Sequence, residues 1–388
     1  MSKEYLCVNR KINSKRIFKD ISITDLIEKH FLSYNAGRLR EICLLLKEKV
    51  LNNDVTVGIT LAGALTPAGL GLSCIVPLIE NGFIDWIIST GANLYHDIHF
   101  SLNYPLYQGT PFINDTELRN KGIVRIYDVF FDIDTLFKTD EFLYNLFLDE
   151  SFNKTMGSSE FHNLLGKFLL ERERILGTEN FILSTAYKYG VPVFTSSPGD
   201  SSIGMNLAFI NQTGKTKGNI NPMLDVIETS AIVYHTKKNN KKTCVFILGG
   251  GSPKNFILQT EPFLQEILDI DEKGHDYFIQ ITDARPDTGG LSGATPNEAV
   301  SWGKLDADKL PDSIVCYGDT TVYLPLITSY VLQNCSKREH KRLFDKRDIM
   351  INNLKDICQS YLKSLIEKGK INDDYSKKSF FNKGIGKT

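Results

Sequence analysis

Five short, uninterruptedly apolar runs, each ending in a cluster of small or acidic residues, constrain this chain more than any other feature. Asp85–Ser89 leads into Thr90-Gly91-Ala92-Asn93, and Val191–Phe194 into Ser196–Ser202. Thr243–Leu248 leads into Gly249-Gly250-Gly251-Ser252-Pro253, Tyr277–Ile281 into a long Gly- and Pro-rich loop, and Ser313–Tyr317 into Gly318-Asp319-Thr320-Thr321. A sixth run, the β-branched Val55–Leu61, precedes them and ends in a small-residue turn, Ala62–Gly69. Helix-length amphipathic segments such as Phe256–Leu268 separate the runs. Strands buried on both faces and alternating with helices predict an α/β fold, an open parallel sheet flanked by helices and Rossmann-like in outline.

In such sheets ligands bind beyond the carboxyl ends of the strands, where these Gly, Ser, Thr and Asp clusters fall. Gly249-Gly250-Gly251 would let a phosphate approach bare backbone, and Ser252-Pro253 would start a helix whose N-terminal amides favour an anion. A carboxylate such as Asp200 or Asp319 can accept hydrogen bonds from a ribose or hold a cationic amine. Together these features suggest a nucleotide-type ligand, although the dinucleotide fingerprint GxGxxG is absent.

The organisation expected is an N-terminal helical arm (1–50), an α/β domain that holds the ligand-binding clusters (51–335) and a C-terminal helix with a basic tail (336–388). Ser22 and Thr24-Asp25 offer capping residues for a first helix. Ile123–Ile126 and the aromatic run Tyr127–Phe131 are expected to pack on the sheet or against another subunit. Ser336–Thr388 carries 14 Lys and Arg against 7 Asp and Glu, although the whole chain is close to neutral at −1. Such a basic stretch is usually a solvated end. Seven well-separated cysteines without a paired spacing suit reduced, mostly buried thiols. Neither a signal-peptide core nor an apolar run of ~18 residues is present, and a cytoplasmic protein is expected.

The loop Thr282–Lys304 concentrates Gly289, Gly290, Gly293, Pro286 and Pro296, and is expected to lack regular structure. It ends Glu298-Ala-Val-Ser-Trp302-Gly-Lys304. A lysine beside an indole can lose water, and a dehydrated ammonium gives up its proton more readily, the condition for a Schiff-base nucleophile. An ordinary surface lysine beside a packing tryptophan fits the same residues. His96 and His99 could share a helix face, but no third ligand of metal spacing accompanies them, so no metal site is expected. A nucleophile elbow and a Walker A lysine are both missing; Gly384–Thr388 only imitates the end of the latter.

Glu298–Lys304 resembles a motif of the deoxyhypusine synthase family. Further matches run over roughly residues 30–330, among them Phe31–Arg38, Thr90-Gly91-Ala92, Pro192–Phe194, Asp200, Ile247–Gly251, Asp276-Tyr277, Ser292-Gly293 and Tyr317-Gly318-Asp319. The resemblance implies NAD-dependent transfer of the aminobutyl group of spermidine, or a related polyamine, through a lysine imine to an acceptor amine. That acceptor would be a protein lysine or, in a homospermidine synthase, putrescine. It implies Lys304 as the imine-forming residue, with Trp302, Glu298, His96 and Asn255 around the substrate. It places NAD on Thr90, Gly91, Ala92, Asp200, Gly249, Gly250, Asp283, Ala284, Ser292 and Asp319. It further implies a homotetramer with active sites between paired subunits; separately, the near-neutral charge and the lack of a basic stripe with interleaved aromatics or of a long apolar run lead to the expectation of neither nucleic-acid nor membrane partners. The chain departs from the family pattern at Tyr95-His96 (for paired glutamates), Met205 and Leu291 (for carboxylates) and Asn255 (for a histidine). Either His96 and Asp287 take over some of those duties or the substrate differs.

Overall fold

The computed structural model describes residues 12–371. Its centre is a six-stranded, wholly parallel sheet. In chain order the strands are Val55–Leu61, Trp86–Ser89, Val193–Thr195, Lys242–Leu248, Tyr277–Thr282 and Ser313–Tyr317. Across the sheet they lie in the order third, second, first, fourth, fifth, sixth. This is the doubly wound order, in which the chain reverses direction between the first and fourth strands and opens a crevice at their carboxyl ends. Those two strands pair in register from Val55 opposite Lys242 to Leu61 opposite Leu248.

The unbroken apolar strands have a direct explanation. Side chains alternate between faces along a strand. Cys244, Phe246 and Leu248 enter one core with Ile59, Ile281, Ile79 and Leu324, whereas Val245 and Ile247 enter another with Trp86, Phe278, Ile257 and Leu264. Helices cover both faces, so even the polar strand residues, such as Thr60, Thr243 and Gln280, are buried. The first core also takes Ile27, Leu39 and Ile42 from the N-terminal helices, and the second takes Met350 and Leu354 from the helix Arg347–Glu367.

Three local expectations change. The 123–131 region forms its own antiparallel sheet, in which Val129–Asp132 lies between Tyr107–Gln108 and Ile123–Ile126. The loop after the fifth strand is not wholly irregular, because it contains the helix Pro296–Ser301. Thr295 caps that helix by accepting the Glu298 N–H at 3.2 Å, and Pro296 takes its first position. A threonine cap, proline at the first position and glutamate at the third form a local start signal that the density of glycine and proline concealed.

The start of the basic C-terminal segment is not a solvated end either. Arg338 is buried. It donates to the carbonyls of Gly82, Asn52 and Val55 and to the Asp85 carboxylate at 3.0 Å. Arg347 donates to buried Glu228 at 2.7 Å. Those cations are held by carboxylates of the body, a pairing that charge counting along the sequence cannot show. Residues 372–388, including the Walker-like ending, and residues 1–11 of the arm, with Cys7, lie outside the described residues. Of the six cysteines described, Cys43, Cys74, Cys244 and Cys316 are buried, and none forms a disulfide. Among the described residues no helix is long and apolar enough to cross a membrane.

Candidate active site

The lysine that ends the Thr282–Lys304 loop is fixed by its backbone before its side chain makes any contact. Gly303 takes a left-handed φ of +66° and closes the helix Pro296–Ser301, so that the Lys304 N–H reaches back to the Ala299 carbonyl at 2.9 Å. Gln265 Nε2 donates to the Gly303 carbonyl at 2.7 Å, and the His275 N–H donates to the Lys304 carbonyl at 3.0 Å. The side chain then enters a cleft of about 310 Å³ shared with Lys254, Asn255, Phe278, Leu291, Glu298 and Trp302. The Lys304 ammonium lies 5.6 Å from the centre of the Trp302 ring. Burial lowers its pKa from the ordinary lysine range, against opposing pulls from Glu298 and Glu266. Trp302 itself is 57% exposed, so in a single chain the indole shields only one side of the amine.

Sequence reasoning passed over Lys254. Its side chain is 2% exposed, and its ammonium donates to Gln280 Oε1 at 3.0 Å and to the carbonyls of Ala294 and Ser292 at 2.7 and 3.2 Å. Burial brings its pKa down to about 8, with Glu298 opposing the shift and Lys304 assisting it. Lys254 thus ties the loop to the fifth strand beneath Lys304. Its only sequence signal is its position in the first turn after the glycine run.

The crevice at the switch point is built from the other predicted residues. Thr90 caps the helix Gly91–Ser101 and donates from its hydroxyl to the Gly63 carbonyl at 2.7 Å. Behind it is Asn93, fully buried and likewise missed from the sequence. Asn93 Oδ1 accepts the N–H groups of Leu65 and Thr66 at 2.6 and 3.3 Å, while Nδ2 faces the carbonyls of Leu61, Ala62 and Gly63 at 3.3 to 3.4 Å. One amide therefore fixes the chain leaving the first strand against the helix that follows the second. On the far side, Gly249–Gly251 leads into the helix Gly251–Leu258, as the proline in its first turn predicted.

The glycines serve packing as well as access. A Cβ on Gly250 would lie 2.5 Å from Ser292, and one on Gly91 would lie 2.3 Å from Ser201. Ser292 Oγ accepts the Gly251 N–H at 2.9 Å, which brings predicted cofactor residues Gly250 and Ser292 together. Asp319 is engaged as a helix cap, accepting from the N–H and hydroxyl of Thr321 at 2.8 and 2.7 Å. It follows the edge strand of the sheet, two strands or about 10 Å from the fourth. Asp283 is exposed after the fifth strand, and the N–H of Ala284 donates to Thr282 Oγ1 at 3.1 Å. The Asp287 carboxylate holds Arg285 at 2.6 Å on the surface.

Within one chain the predicted residues fall into separate groups. Asn255, Glu298, Trp302 and Lys304 share the lysine cleft. Ala92, His96 and Asp200 line a second cavity of about 390 Å³, together with Tyr95, Met205 and an apolar wall of Val124, Ile126, Phe131 and Leu136. His96 is half-buried, and burial lowers its pKa to about 4. Its neighbour His99 is fully buried and bonds Thr139. Among the described residues no group of three or more His, Cys, Asp or Glu is placed to hold a metal ion.

Comparison with known proteins agrees with this architecture. The deoxyhypusine synthase family model matches residues 25–331. A deoxyhypusine synthase-like protein of Nostoc punctiforme is 54% identical over 355 residues, covering 91% of this chain and 90% of the relative. One from Thermosynechococcus vestitus is 52% identical over 352 residues, covering 90% and 87%. A solved chain from Entamoeba histolytica, provisionally named a deoxyhypusine synthase, superposes with a TM-score of 0.52 over 82% of this chain and 96% of its own, at 13% identity. That last likeness concerns the fold alone. The family match over most of the chain and the two close relatives establish that this protein belongs to the deoxyhypusine synthase family.

Proposed function

We propose that the chain is an aminobutyltransferase that carries the four-carbon amine fragment of spermidine as an imine on Lys304 and delivers it to an acceptor amine, a protein lysine. The observation that carries this reading is the partly dehydrated Lys304 ammonium against Trp302, its pKa lowered by burial. A lysine at its ordinary pKa of about 10.4 is almost wholly protonated near neutrality and cannot attack carbon. A bound polyamine would lower it further, being a second cation in the same cleft.

The switch-point crevice suits a dinucleotide. Its strand order, the helix starting at Gly251 and the open space above Gly63 and Gly199 support that fit. Thr90, Gly91, Ala92, Asp200, Gly249, Gly250, Asp283, Ala284, Ser292 and Asp319 are the residues assigned to hold NAD. NAD would supply reversible removal of hydride from the carbon beside the donor's secondary amine. Lys304, in its neutral form, adds to the electrophilic carbon so produced, expels diaminopropane and keeps the aminobutyl fragment as an imine. Glu298 pairs with a substrate ammonium at the mouth of the cleft. Trp302 lies along the polyamine chain, a contact of about 0.5–2 kcal/mol. Water must be excluded at this stage, because hydrolysis would release the fragment as an aldehyde. The exposed face of Trp302, and the separation of Lys304 from the His96 cavity, support an active site completed by a second copy; the homotetramer and the cytoplasmic location belong to the same reading through the family resemblance.

Incubation with NAD and spermidine followed by borohydride reduction tests the reading. A mass increase on Lys304 is expected, and its absence together with absent diaminopropane leaves a non-catalytic NAD or polyamine binder. Homospermidine formed when putrescine is supplied would transfer the acceptor assignment from a protein lysine to a small diamine, an outcome favoured by the neutral residues at Asn255 and Leu291 in the lysine cleft.

A further inference from the structure

The cavity beside the second strand contains a group whose proton position can be deduced from its neighbours. Two oxygens 2.8 Å apart repel unless a proton lies between them, and the Thr135 carbonyl brings none, so the Thr139 hydroxyl places its single proton there. The Thr139 oxygen must then accept from His99 Nδ1, 2.8 Å distant, which makes His99 the Nδ1–H tautomer and leaves its Nε2 bare. That bare nitrogen lies 3.2 Å from His96 Nδ1. His96 must donate in turn, and its own Nε2 is left with a lone pair and no partner among the described residues. Because the Nδ1 edge is turned to buried His99, Nε2 is the nitrogen available to the cavity that His96 lines. Free imidazole favours the opposite tautomer, so this one is imposed by the chain of bonds.

We propose that His96 presents this bare Nε2 as the hydrogen-bond acceptor for the N–H of a substrate amine bound in the cavity, with Thr139 and His99 fixing its tautomer from behind. The identity of the ligand as an amine rests on the function proposed above; the tautomer does not. The charge pattern of the cavity agrees. Asp200 is its one carboxylate, Tyr95 is engaged with Asp140 at 2.7 Å, and Ser201, Ser202 and Met205 are neutral. No cation lines it, and burial keeps His96 neutral. The chain of bonds ends at the Thr135 carbonyl, so the groups behind His96 act as a lock on its tautomer and not as a proton conduit.

Long-range proton–nitrogen NMR spectra of histidine-labelled full-length protein test the proposal directly. Both His96 and His99 should show the Nδ1–H pattern, and Thr139→Val should release His99 and return His96 toward the common Nε2–H form. Adding spermidine or putrescine should move the His96 Nε2 resonance. His96→Phe, which keeps a ring and removes the acceptor, should lower kcat/KM for the amine by about 10-fold with NAD affinity changed less than about threefold, as expected for one lost hydrogen bond. An Nε2–H tautomer in the unmodified protein, indifference to Thr139→Val, no amine-induced shift, or amine kinetics unchanged in His96→Phe would each overturn it. Failure of the transferase reading shows separately, as a missing Lys304 adduct with the amine-induced His96 shift intact.

Discussion

Asn93 is where a small change should disturb the crevice most. In Asn93→Ala the N–H groups of Leu65 and Thr66 lose their acceptor, and the Leu61–Gly63 carbonyls lose their shared donor. An unsatisfied buried polar group costs about 1–3 kcal/mol. The contacts at 2.6 Å and 3.3 Å are unequal, and water could reach the part-buried Leu65 side, so two full penalties are an upper bound. A loss of about 2–4 kcal/mol follows, with weaker NAD binding because the turn after the first strand is then tied to the Thr90 end of the next helix only through the Thr90 hydroxyl and backbone N–H.

Asn93→Asp separates the two halves of this argument. One carboxylate oxygen can still accept from Leu65 and Thr66, but the other would face three carbonyls. Burial and that repulsion raise the folded-state pKa of the new acid above its unfolded value of about 3.9. Its neutral form can donate as the amide did. The variant should therefore come closest to the parent at acidic pH near the unfolded value and lose stability as pH rises through the raised folded value. Thermal melting of both variants across pH, with NAD titration at neutral pH, provides the measurement. If Asn93→Ala melts like the parent, or Asn93→Asp shows no pH dependence relative to it, the hub assignment is wrong.

Other perturbations have equally direct readouts. Arg338→Met leaves buried Asp85 facing only the Val57 N–H and Lys341, and denaturant unfolding should show a loss of about 3–5 kcal/mol, partly recovered by adding Asp85→Asn. Gly250→Ala drives a methyl group into Ser292, and calorimetric NAD titration should show reduced affinity alongside about 1–3 kcal/mol of destabilisation. Buried Asp97 accepts the Ile182 N–H, and its pKa is pushed up by burial to about 8. Its folded pKa exceeds its unfolded one, so the parent should lose stability relative to Asp97→Asn as pH rises from about 4 toward 8, which melting curves at fixed salt will register. Lys304→Ala should keep NAD binding and yield no borohydride-trapped adduct.

What the sequence revealed depended on how local the physics was. The six sheet strands were legible because burial on both faces leaves an uninterrupted apolar run. The Ser22 cap and the helix after Gly249–Gly251 depended on neighbours within one turn. Asn93 and Lys254 were not legible, because an asparagine and a lysine in first turns of helices carry no mark of the strand carbonyls or the loop that each one meets. Arg338 was misread for the same reason, since its partner Asp85 is 253 positions away. The Thr295-Pro296-x-Glu298 start was local and readable, but surrounding glycines outweighed it.

The site itself was half legible. Lys304 and Trp302 are two residues apart and close one helix, so their contact follows from the motif. His96 shows the opposite case, in which a neutral ring at a position where the family pattern carries acids looks like a loss of function. Its neighbours supply a different interpretation. A lone pair fixed from behind by His99 and Thr139 can accept an amine N–H without the repulsion from Asp200 that a second carboxylate in the same cavity would suffer. On the proposed reading, the neutral ring changes how charge is handled in this cavity, whereas the lysine cleft is built on another loop.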